Sequence, residues 1–300
     1  MFETIGILGL GQIGGTAARL LVAAGYPVAA VNRPSAAWLP DAGGMLVPDA
    51  ASLAGSCPIV IGAMSREEDV EDAVFGAAGL VAGAPQGLIY ADMGTFAVAL
   101  KERIRDVLAV KGAVVLDTPI SGTPQAMESG AAVIMRSGDE AASEQVRPVM
   151  EVLAGKSPHV GPFGHGMKLK FVLNALVTNH VLVAAEAINM GVASGLDALG
   201  RVVHDVRQVL DVVSASVATS KQFELRGPRM AEQNYQPAPA PARLVNKDMR
   251  YIVEHAAALG VAAPVSNLTR KLYEKVAEMG RLDDELSVIF EALKSGNNQD

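Results

Sequence analysis

The amino-acid sequence predicts an α/β fold, in which an N-terminal domain with a parallel β-sheet is followed by an all-α C-terminal domain. From Thr4 to about Gly164, short β-rich runs alternate with helical stretches, which is the pattern of a parallel sheet covered by helices. After Gly166 the chain carries long apolar-periodic segments and few β-branched runs, which is typical of helices. We therefore expect a long interdomain helix that leads into the second domain.

Six apolar runs, each closed by polar or turn residues, predict the strands. They are Thr4–Leu8, Val28–Asn32, Pro58–Met64, Leu88–Asp92, Ala113–Asp117 and Ala131–Arg136. The first helix is expected over Thr16–Ala24, with Gly25 ending it. The longest apolar stretch, Phe171–Val192, contains Asn, His and Glu residues, which favours a buried helix over a membrane span. Alternating prolines predict an extended loop over Asn234–Ala242.

Length and composition predict two domains. The chain has 300 residues, of which 50% are hydrophobic, and this exceeds what a single core usually holds. We place the boundary in the segment 159–166, which contains three glycines, so that the domains are residues 1–164 and 165–300.

Charge and cysteine content narrow the function classes. The net charge of −7 is spread along the chain without a Lys/Arg-rich run, so we expect neither a nucleic-acid nor a membrane partner, but a small molecule. The single cysteine, Cys57, cannot form an intramolecular disulfide, and the five histidines lack zinc-ligand spacing. The sequence therefore predicts a cytoplasmic protein with no metal site.

A glycine-rich turn follows the first apolar run and precedes the first helix. It reads Gly9-Leu10-Gly11-Gln12-Ile13-Gly14 and fits the pattern G-x-G-x-x-G. A pyrophosphate needs a tight turn, a backbone without Cβ at its closest approach and helix N-terminal amides that face it. The motif alone is weak, since an ordinary glycine turn also matches. The order strand, turn, helix, strand favours dinucleotide binding, and hence a Rossmann-type domain.

The end of the second predicted strand bears on the choice of cofactor. An NAD-preferring site usually carries Asp or Glu there, which accepts from the ribose hydroxyls. Here the sequence has Asn32 and Arg33. Because a guanidinium pairs well with a phosphate, we predict NADP as the preferred cofactor and keep NAD as possible. Arg33 as a solvated surface charge is the alternative.

Lys170 and Asn174 are candidates for proton transfer in the long helix. They are four residues apart and so lie on one side of it, among apolar neighbours. Burial lowers the pKa of an amine towards neutral pH, where it is useful as an acid or base. A lysine that extends to solvent beside a structural asparagine explains the spacing equally well.

Several segments together resemble the β-hydroxyacid dehydrogenase family, whose members include 3-hydroxyisobutyrate dehydrogenase and tartronate semialdehyde reductase. The resemblance covers nearly the whole chain. Besides the glycine-rich turn, it rests on Asp117-Thr118-Pro119-Ile120-Ser121-Gly122, Gly164-His165-Gly166, Lys170, Asn174, Glu186 and Lys247-Asp248.

The resemblance implies roles for particular residues. Lys170 is the proton-transfer residue and Asn174 orients the substrate. Ser121, Gly122 and Thr123 hold a substrate carboxylate. Positions that contact the cofactor, besides those named above, are Met64, Ser65, Thr95 and Lys247. The chain departs from the family at Gly94, Val98 and Thr123, so the resemblance leaves the substrate open.

The predicted activity is hydride transfer between NADP(H) or NAD(H) and a small 3-hydroxy acid or its semialdehyde. The alternative enzyme activity is that of an imine reductase, but imine reductases generally have Asp or Tyr at the position of Lys170. The alternative that is not an enzyme is a catalytically silent nicotinamide-binding module. Apolar helices in the second domain also predict a homodimer or homotetramer.

Overall fold

The computed structural model of the chain describes residues 3–194 and 206–294. The chain divides into two compact units, Met1–Lys170 and Phe171–Asp300. The division falls inside a long helix, whose first turn is hydrogen-bonded to other residues of the first unit.

The first unit is built on a six-stranded parallel sheet in the order β3-β2-β1-β4-β5-β6. Its strands are β1 Ile5–Leu8, β2 Val28–Val31, β3 Met45–Val47, β4 Ile59–Gly62, β5 Ile89–Asp92 and β6 Val114–Asp117. Ile5 pairs with Val28 on one side and with Ile59 on the other, so β1 lies between β2 and β4. The strand order reverses there, which opens a crevice at the carboxyl ends of β1 and β4.

Helices cover both faces of this sheet. They are α1 Gln12–Ala23, α2 Ala50–Ser56, α3 Glu67–Val70, α4 Leu80–Gly83, α5 Val98–Ala109, α6 Pro124–Glu128 and α7 Glu140–Leu153. Short 3-10 helices lie at Pro34–Ala36 and Pro40–Ala42, and a π-helical turn at Glu71–Phe75. Ile5 and Ile7 face one core, and Leu8 and Val60 face the other. Burial on both faces explains why the central strands are continuously apolar.

Three details of the first unit differ from the sequence prediction. The helix α1 begins at Gln12, four residues before the predicted start at Thr16. The strand β3 was missed because it has only three residues and is partly exposed at the sheet edge, with Met45 53% exposed. The run Ala131–Arg136 was wrongly assigned to the parallel sheet. Only β8, Val133–Ile134, forms there, and it pairs antiparallel with β7, Ile120–Ser121. The short α6 between them leaves too little chain for the crossover that a parallel pair needs.

Every regular element described in the second unit is helical, as the sequence predicted. The long helix α8 spans His165–Ser194, and the others are α9 Val206–Ser214, α10 Lys221–Glu232, α11 Ala242–Ala258, α12 Pro264–Glu278 and α13 Ile289–Lys294, with a 3-10 helix at Leu286–Val288. The predicted proline-rich loop is confirmed, since α11 begins only at Ala242.

The helix α8 is less buried than its composition suggested. Val172, Leu176, Val183 and Met190 are between 52% and 67% exposed, although Phe171 is buried. The expectation of a buried helix is therefore correct for one side of α8 only. By length and composition alone α8 is apolar enough to cross a membrane, but the core helix of a soluble protein meets the same criteria.

Candidate active site

The glycine-rich turn has the geometry that a bound pyrophosphate requires. Gly9 directly follows β1 with φ of 100°, a conformation that side chains disfavour. A Cβ on Gly11 would meet nothing within 4 Å, so the backbone there is open to a ligand. A Cβ on Gly14 would lie 1.9 Å from the carbonyl oxygen of Gly9, so only glycine allows this close packing of helix and turn. These are the three roles of the glycines in a dinucleotide fingerprint.

The turn borders a cavity of about 610 Å³ at the carboxyl ends of β1 and β4. This volume is typical of a site for a small molecule or cofactor. Of the predicted cofactor-binding residues in the first unit, six line it: Gly9, Leu10, Gly11, Arg33, Met64 and Ser65. Gln12, Ile13, Gly14, Asn32 and Thr95 do not line it. Gln12 and Ile13 begin α1, whose N-terminal amides follow the turn.

Arg33 and Asn32 lie where β2 ends, and both are exposed. The backbone N–H of Asn32 donates to the carbonyl of Val47, which fixes the chain as it leaves the sheet. Arg33 then precedes a 3-10 helix and reaches the cavity wall together with Ser35. A guanidinium on the wall of this cavity is able to meet a phosphate on the adenosine ribose.

The predicted carboxylate-binding residues follow β6 in the short hairpin-like sheet. Ser121 ends β7 and is partly exposed, and Gly122 is exposed. A Cβ on Gly122 would lie 2.8 Å from that of Ala132, so a side chain there would collide with the neighbouring segment. Thr123 caps α6, since its hydroxyl accepts from the N–H of Ala126 at 3.4 Å. The cap uses the Thr123 hydroxyl as an acceptor and leaves its O–H donor for another partner.

Lys170 lies in the second turn of α8 and is 8% exposed. Lys168, two residues earlier, is exposed. The helix therefore places one lysine inside the protein and the other in solvent, as helical spacing requires. A buried amine is the kind of group whose protonation the surroundings control.

Asn174, one turn further along α8, is held by a partner on α11. Its side-chain Nδ2 donates to Oδ2 of Asp248 at 2.9 Å. The other carboxylate oxygen of Asp248 lies 3.3 Å from Nζ of Lys247. The hydroxyl of Thr178 donates to the backbone carbonyl of Asn174 at 2.9 Å. The second unit thus joins three of the residues named in the sequence, Asn174, Lys247 and Asp248, through one hydrogen bond and one ion pair.

Sequence reasoning missed the acidic residues on the cavity wall, Asp49, Asp69 and Asp72. The Asp49 carboxylate accepts from the backbone N–H of Ser52 at 2.7 Å, and this bond lowers the pKa of Asp49. An Asp before an alanine-rich helix is a recognisable N-cap, so Asp49 could have been found. Within the described ranges 3–194 and 206–294, no three His, Cys, Asp or Glu residues are grouped to hold a metal ion.

The fold and the glycine turn define the class of protein. A parallel sheet with a reversal of strand order, a three-glycine turn at that point and a cavity beside it constitute a dinucleotide-binding domain. The residues present fit a nicotinamide dinucleotide, because the backbone is open at Gly11 and the cavity is large enough.

Comparison with known families identifies the family. Residues 4–161 match the NAD binding domain of 6-phosphogluconate dehydrogenase. Residues 164–293 match the family described as the NAD-binding domain of NADP-dependent 3-hydroxyisobutyrate dehydrogenase. The chain therefore belongs to the β-hydroxyacid dehydrogenase family. Membership of this family makes it an NAD(P)-dependent dehydrogenase.

Individual relatives are distant but cover the chain. Glyoxylate/succinic semialdehyde reductase 2 of Arabidopsis thaliana is 26% identical over 99% of this chain and 81% of its own length. L-Threonate dehydrogenase of Cupriavidus necator is 28% identical over 97% of this chain and 96% of its own length.

Solved structures of other proteins have the same fold as this chain. A 3-hydroxyisobutyrate dehydrogenase from Salmonella typhimurium has a TM-score of 0.85 at 23% identity, with 96% of this chain and 99% of that chain covered. An imine reductase from Pseudomonas sp. reaches a TM-score of 0.61 at 18% identity, with 98% of this chain and 100% of that chain covered. The overall fold is thus nearer to the dehydrogenase than to the imine reductase.

Proposed function

We propose that this protein transfers a hydride between NADP(H) and a small 3-hydroxy acid or its semialdehyde, with Lys170 as the acid or base. The observation that carries the proposal is the buried amine of Lys170, one helical turn from the side chain of Asn174, which Asp248 holds in place. Two relatives, a glyoxylate/succinic semialdehyde reductase and an L-threonate dehydrogenase, are named for substrates that agree with this class.

Each residue of the proposed site has a separate role. Ser121 and Gly122 bind the substrate carboxylate through a hydroxyl and an open backbone N–H. Lys170 takes the hydroxyl proton in oxidation and returns a proton to the carbonyl oxygen in reduction. Asn174 orients the reacting oxygen, and Lys247 contacts the cofactor. When bound, the nicotinamide ring supplies the hydride acceptor or donor.

Arg33 supports NADP over NAD. Its exposed guanidinium lies on the cavity wall, and no acid follows β2 at the position where NAD-specific sites carry one. A charge-assisted hydrogen bond contributes about 1.5–3 kcal/mol, so we expect Arg33→Ala to lower kcat/KM for NADPH by roughly 10-fold to 100-fold. The value for NADH is the internal control and is expected to change little. An equal loss with both cofactors would contradict this role.

The experiment that tests the proposal is a spectrophotometric panel with NADPH and NADH. NADPH and NADH are tested with small semialdehydes and a cyclic imine, whereas NADP+ and NAD+ are tested with 3-hydroxy acids for the oxidative direction. Consumption of NADPH with a semialdehyde supports the proposal. Turnover of the imine alone would instead support the imine reductase, and cofactor binding without turnover of any compound would support a silent binding module.

Two further expectations belong to the proposal. The protein is proposed to act in the cytoplasm, with a small carboxylate as its partner. It is also proposed to form a homodimer or homotetramer, because much of the apolar side of α8 is exposed in the single chain. Light scattering of the purified protein measures the oligomeric state.

A further inference from the structure

A second lysine, Lys101 on α5, is buried completely in the first unit. Its Nζ donates to Oδ1 of Asp117 at 2.7 Å and to the carbonyl of Asp92 at 3.1 Å, and lies 3.6 Å from Oδ2 of Asp92. Burial by itself would lower the pKa of Lys101, but the carboxylates of Asp117 and Asp92 outweigh it and hold that pKa above the usual value. The lysine is therefore charged at neutral pH.

Asp92 and Asp117 are register partners at the carboxyl ends of β5 and β6. Lys101 thus joins the two strand ends. From Asp92 the chain continues to Thr95, and the N–H of Gly94 donates to Oδ1 of Asp92 at 2.9 Å. From Asp117 the chain continues to Ser121. Both loops carry residues that the sequence assigns to the site.

Asp117 also holds the start of α8. Its Oδ2 accepts from the backbone N–H of Met167 at 2.7 Å, while Oγ of Ser137 accepts from the N–H of Gly166 at 2.9 Å. The N–H groups of His165 and Lys168 are bonded to the carbonyls of Pro162 and Gly164. The bond from Lys168 to Gly164 is the first regular i→i−4 bond of the helix. The amides of His165, Gly166 and Met167, which the helix cannot satisfy itself, therefore all have other partners. A carboxylate at this end also stabilises the helix dipole.

The start of α8 fits closely against this group. A Cβ on Gly166 would lie 2.7 Å from the carbonyl oxygen of Met135 and 3.0 Å from Oδ2 of Asp117. The helix can approach this far only because residue 166 is glycine. Lys170 is four residues further on, so it lies one turn above Gly166 on the same side of the helix.

We infer that Lys101 is a positioning residue, which orients the Asp117 carboxylate towards Met167 and so fixes the helix turn that presents Lys170. This inference rests on the proposed function, because it takes Lys170 to be the proton-transfer residue. Lys101 itself is bonded to Asp92 and Asp117 and acts through the backbone of α8.

Physical reasons favour positioning over simple stabilisation. A buried ion pair often contributes little net stability compared with apolar side chains of the same size, because both charges lose their hydration. It does fix direction, since each donor must face its acceptor. A shift of about 1 Å in a reacting group can lower a rate by about 100-fold. A small change at the first turn of α8 is therefore expected to affect kcat more than cofactor binding.

The test begins with Lys101→Met in the full-length protein, assayed with NADPH and the best substrate of the panel. We expect kcat to fall by roughly 10-fold to 100-fold, with the Kd for NADPH changed less than threefold. Lys101→Gln keeps a donor for Asp117 and is expected to recover part of kcat. It also serves as the test variant if Lys101→Met does not fold.

A double-mutant cycle with Lys170→Ala separates positioning from general damage. If Lys101 acts through Lys170, Lys101→Met (or Lys101→Gln) lowers kcat in the wild-type background but not in the Lys170→Ala background. Equal losses in both backgrounds, or kcat within twofold of wild type in the single variant, would overturn the inference. Full activity of Lys170→Ala alone would instead refute the proposed function.

Arg136→Met is the matched control. Arg136 is also a buried cation of the first unit, but its guanidinium bonds to Ser157, Ser143 and Glu144 rather than to Asp117 or to α8. We expect this variant to lose stability and to keep kcat when assayed below its unfolding temperature. A loss of kcat equal to that of Lys101→Met would show that any buried cation of this unit has the same effect, which overturns the inference.

Discussion

The two units each contain a lysine paired with an aspartate, and the two pairs differ in what surrounds them. In the first unit, Lys101, Asp92 and Asp117 have side chains at most 3% exposed, and they bond chiefly to one another and to backbone groups. In the second unit, the side chains of Lys247 and Asp248 are 17% and 12% exposed, and Asp248 holds the side-chain amide of Asn174. The first group holds the backbone in place, whereas the second holds a side chain and is partly exposed.

The largest effect is expected from removal of the buried carboxylate. Asp117→Ala leaves Lys101 with Asp92 alone and Met167 without its acceptor. Breaking a buried pair in this way costs about 3–5 kcal/mol of the free energy of unfolding, which urea denaturation measures.

The counterpart in the second unit is the control for this change. Asp248→Ala removes a more exposed carboxylate, so we expect a loss of about 1–2 kcal/mol. If both variants lost the same stability, the two groups would not differ as described.

A rate effect is expected next, from the second unit. Asn174→Ala removes the amide that Asp248 orients, and we expect kcat to fall by roughly 10-fold to 100-fold. Asn179→Ala is the control on the same helix, since Asn179 bonds to Ser266 and Thr269 and has no assigned part in the site. Steady-state kinetics of both variants test the comparison, and an equal fall of kcat in Asn179→Ala would refute the role of Asn174.

The smallest effects concern one buried tyrosine in each unit. The hydroxyl of Tyr273 donates to the carbonyl of Leu286 at 2.7 Å, whereas that of Tyr90 has no hydrogen-bond partner among the described residues. We expect Tyr273→Phe to lower the free energy of unfolding by about 1 kcal/mol and Tyr90→Phe to leave it unchanged or raise it. Unfolding curves at pH 7 measure both, and a larger loss in Tyr90→Phe would contradict the assignment.

The same tyrosines predict a dependence on alkaline pH. Burial raises the pKa of Tyr90 and of Tyr273 above the ordinary value of 10.0. Above that pH the unfolded chain loses phenol protons that the folded protein keeps, so stability is lost as pH rises. Each Phe variant is expected to make this alkaline loss shallower. Unfolding measured from pH 8 to 11 tests this, and an unchanged slope would contradict it.

The parts of the molecule that local sequence encodes were predictable. The glycine turn, the five central and edge strands β1, β2, β4, β5 and β6, and the helical second unit follow from patterns that extend over a few residues. Thr123 illustrates a limit, because only the structure shows that its hydroxyl also caps α6.

The groups that depend on distant contacts were not predictable. Lys101 lies in an ordinary amphipathic helix, and nothing near it in sequence shows that Asp92 and Asp117 converge on it. Asn174 and Asp248 are 74 residues apart. Register between strands and packing between helices bring these side chains together, and neither leaves a local signal.

Single-turnover kinetics measure the contribution of Lys170 to proton transfer without interference from product release. Enzyme is loaded with NADPH, mixed with the best semialdehyde of the panel, and the loss of NADPH absorbance is followed. We expect Lys170→Ala to bind NADPH normally and to react roughly 100-fold or more slowly than wild type, while Lys168→Ala, which changes the exposed neighbour, reacts as wild type does. A Lys170→Ala rate close to that of Lys168→Ala would contradict the account.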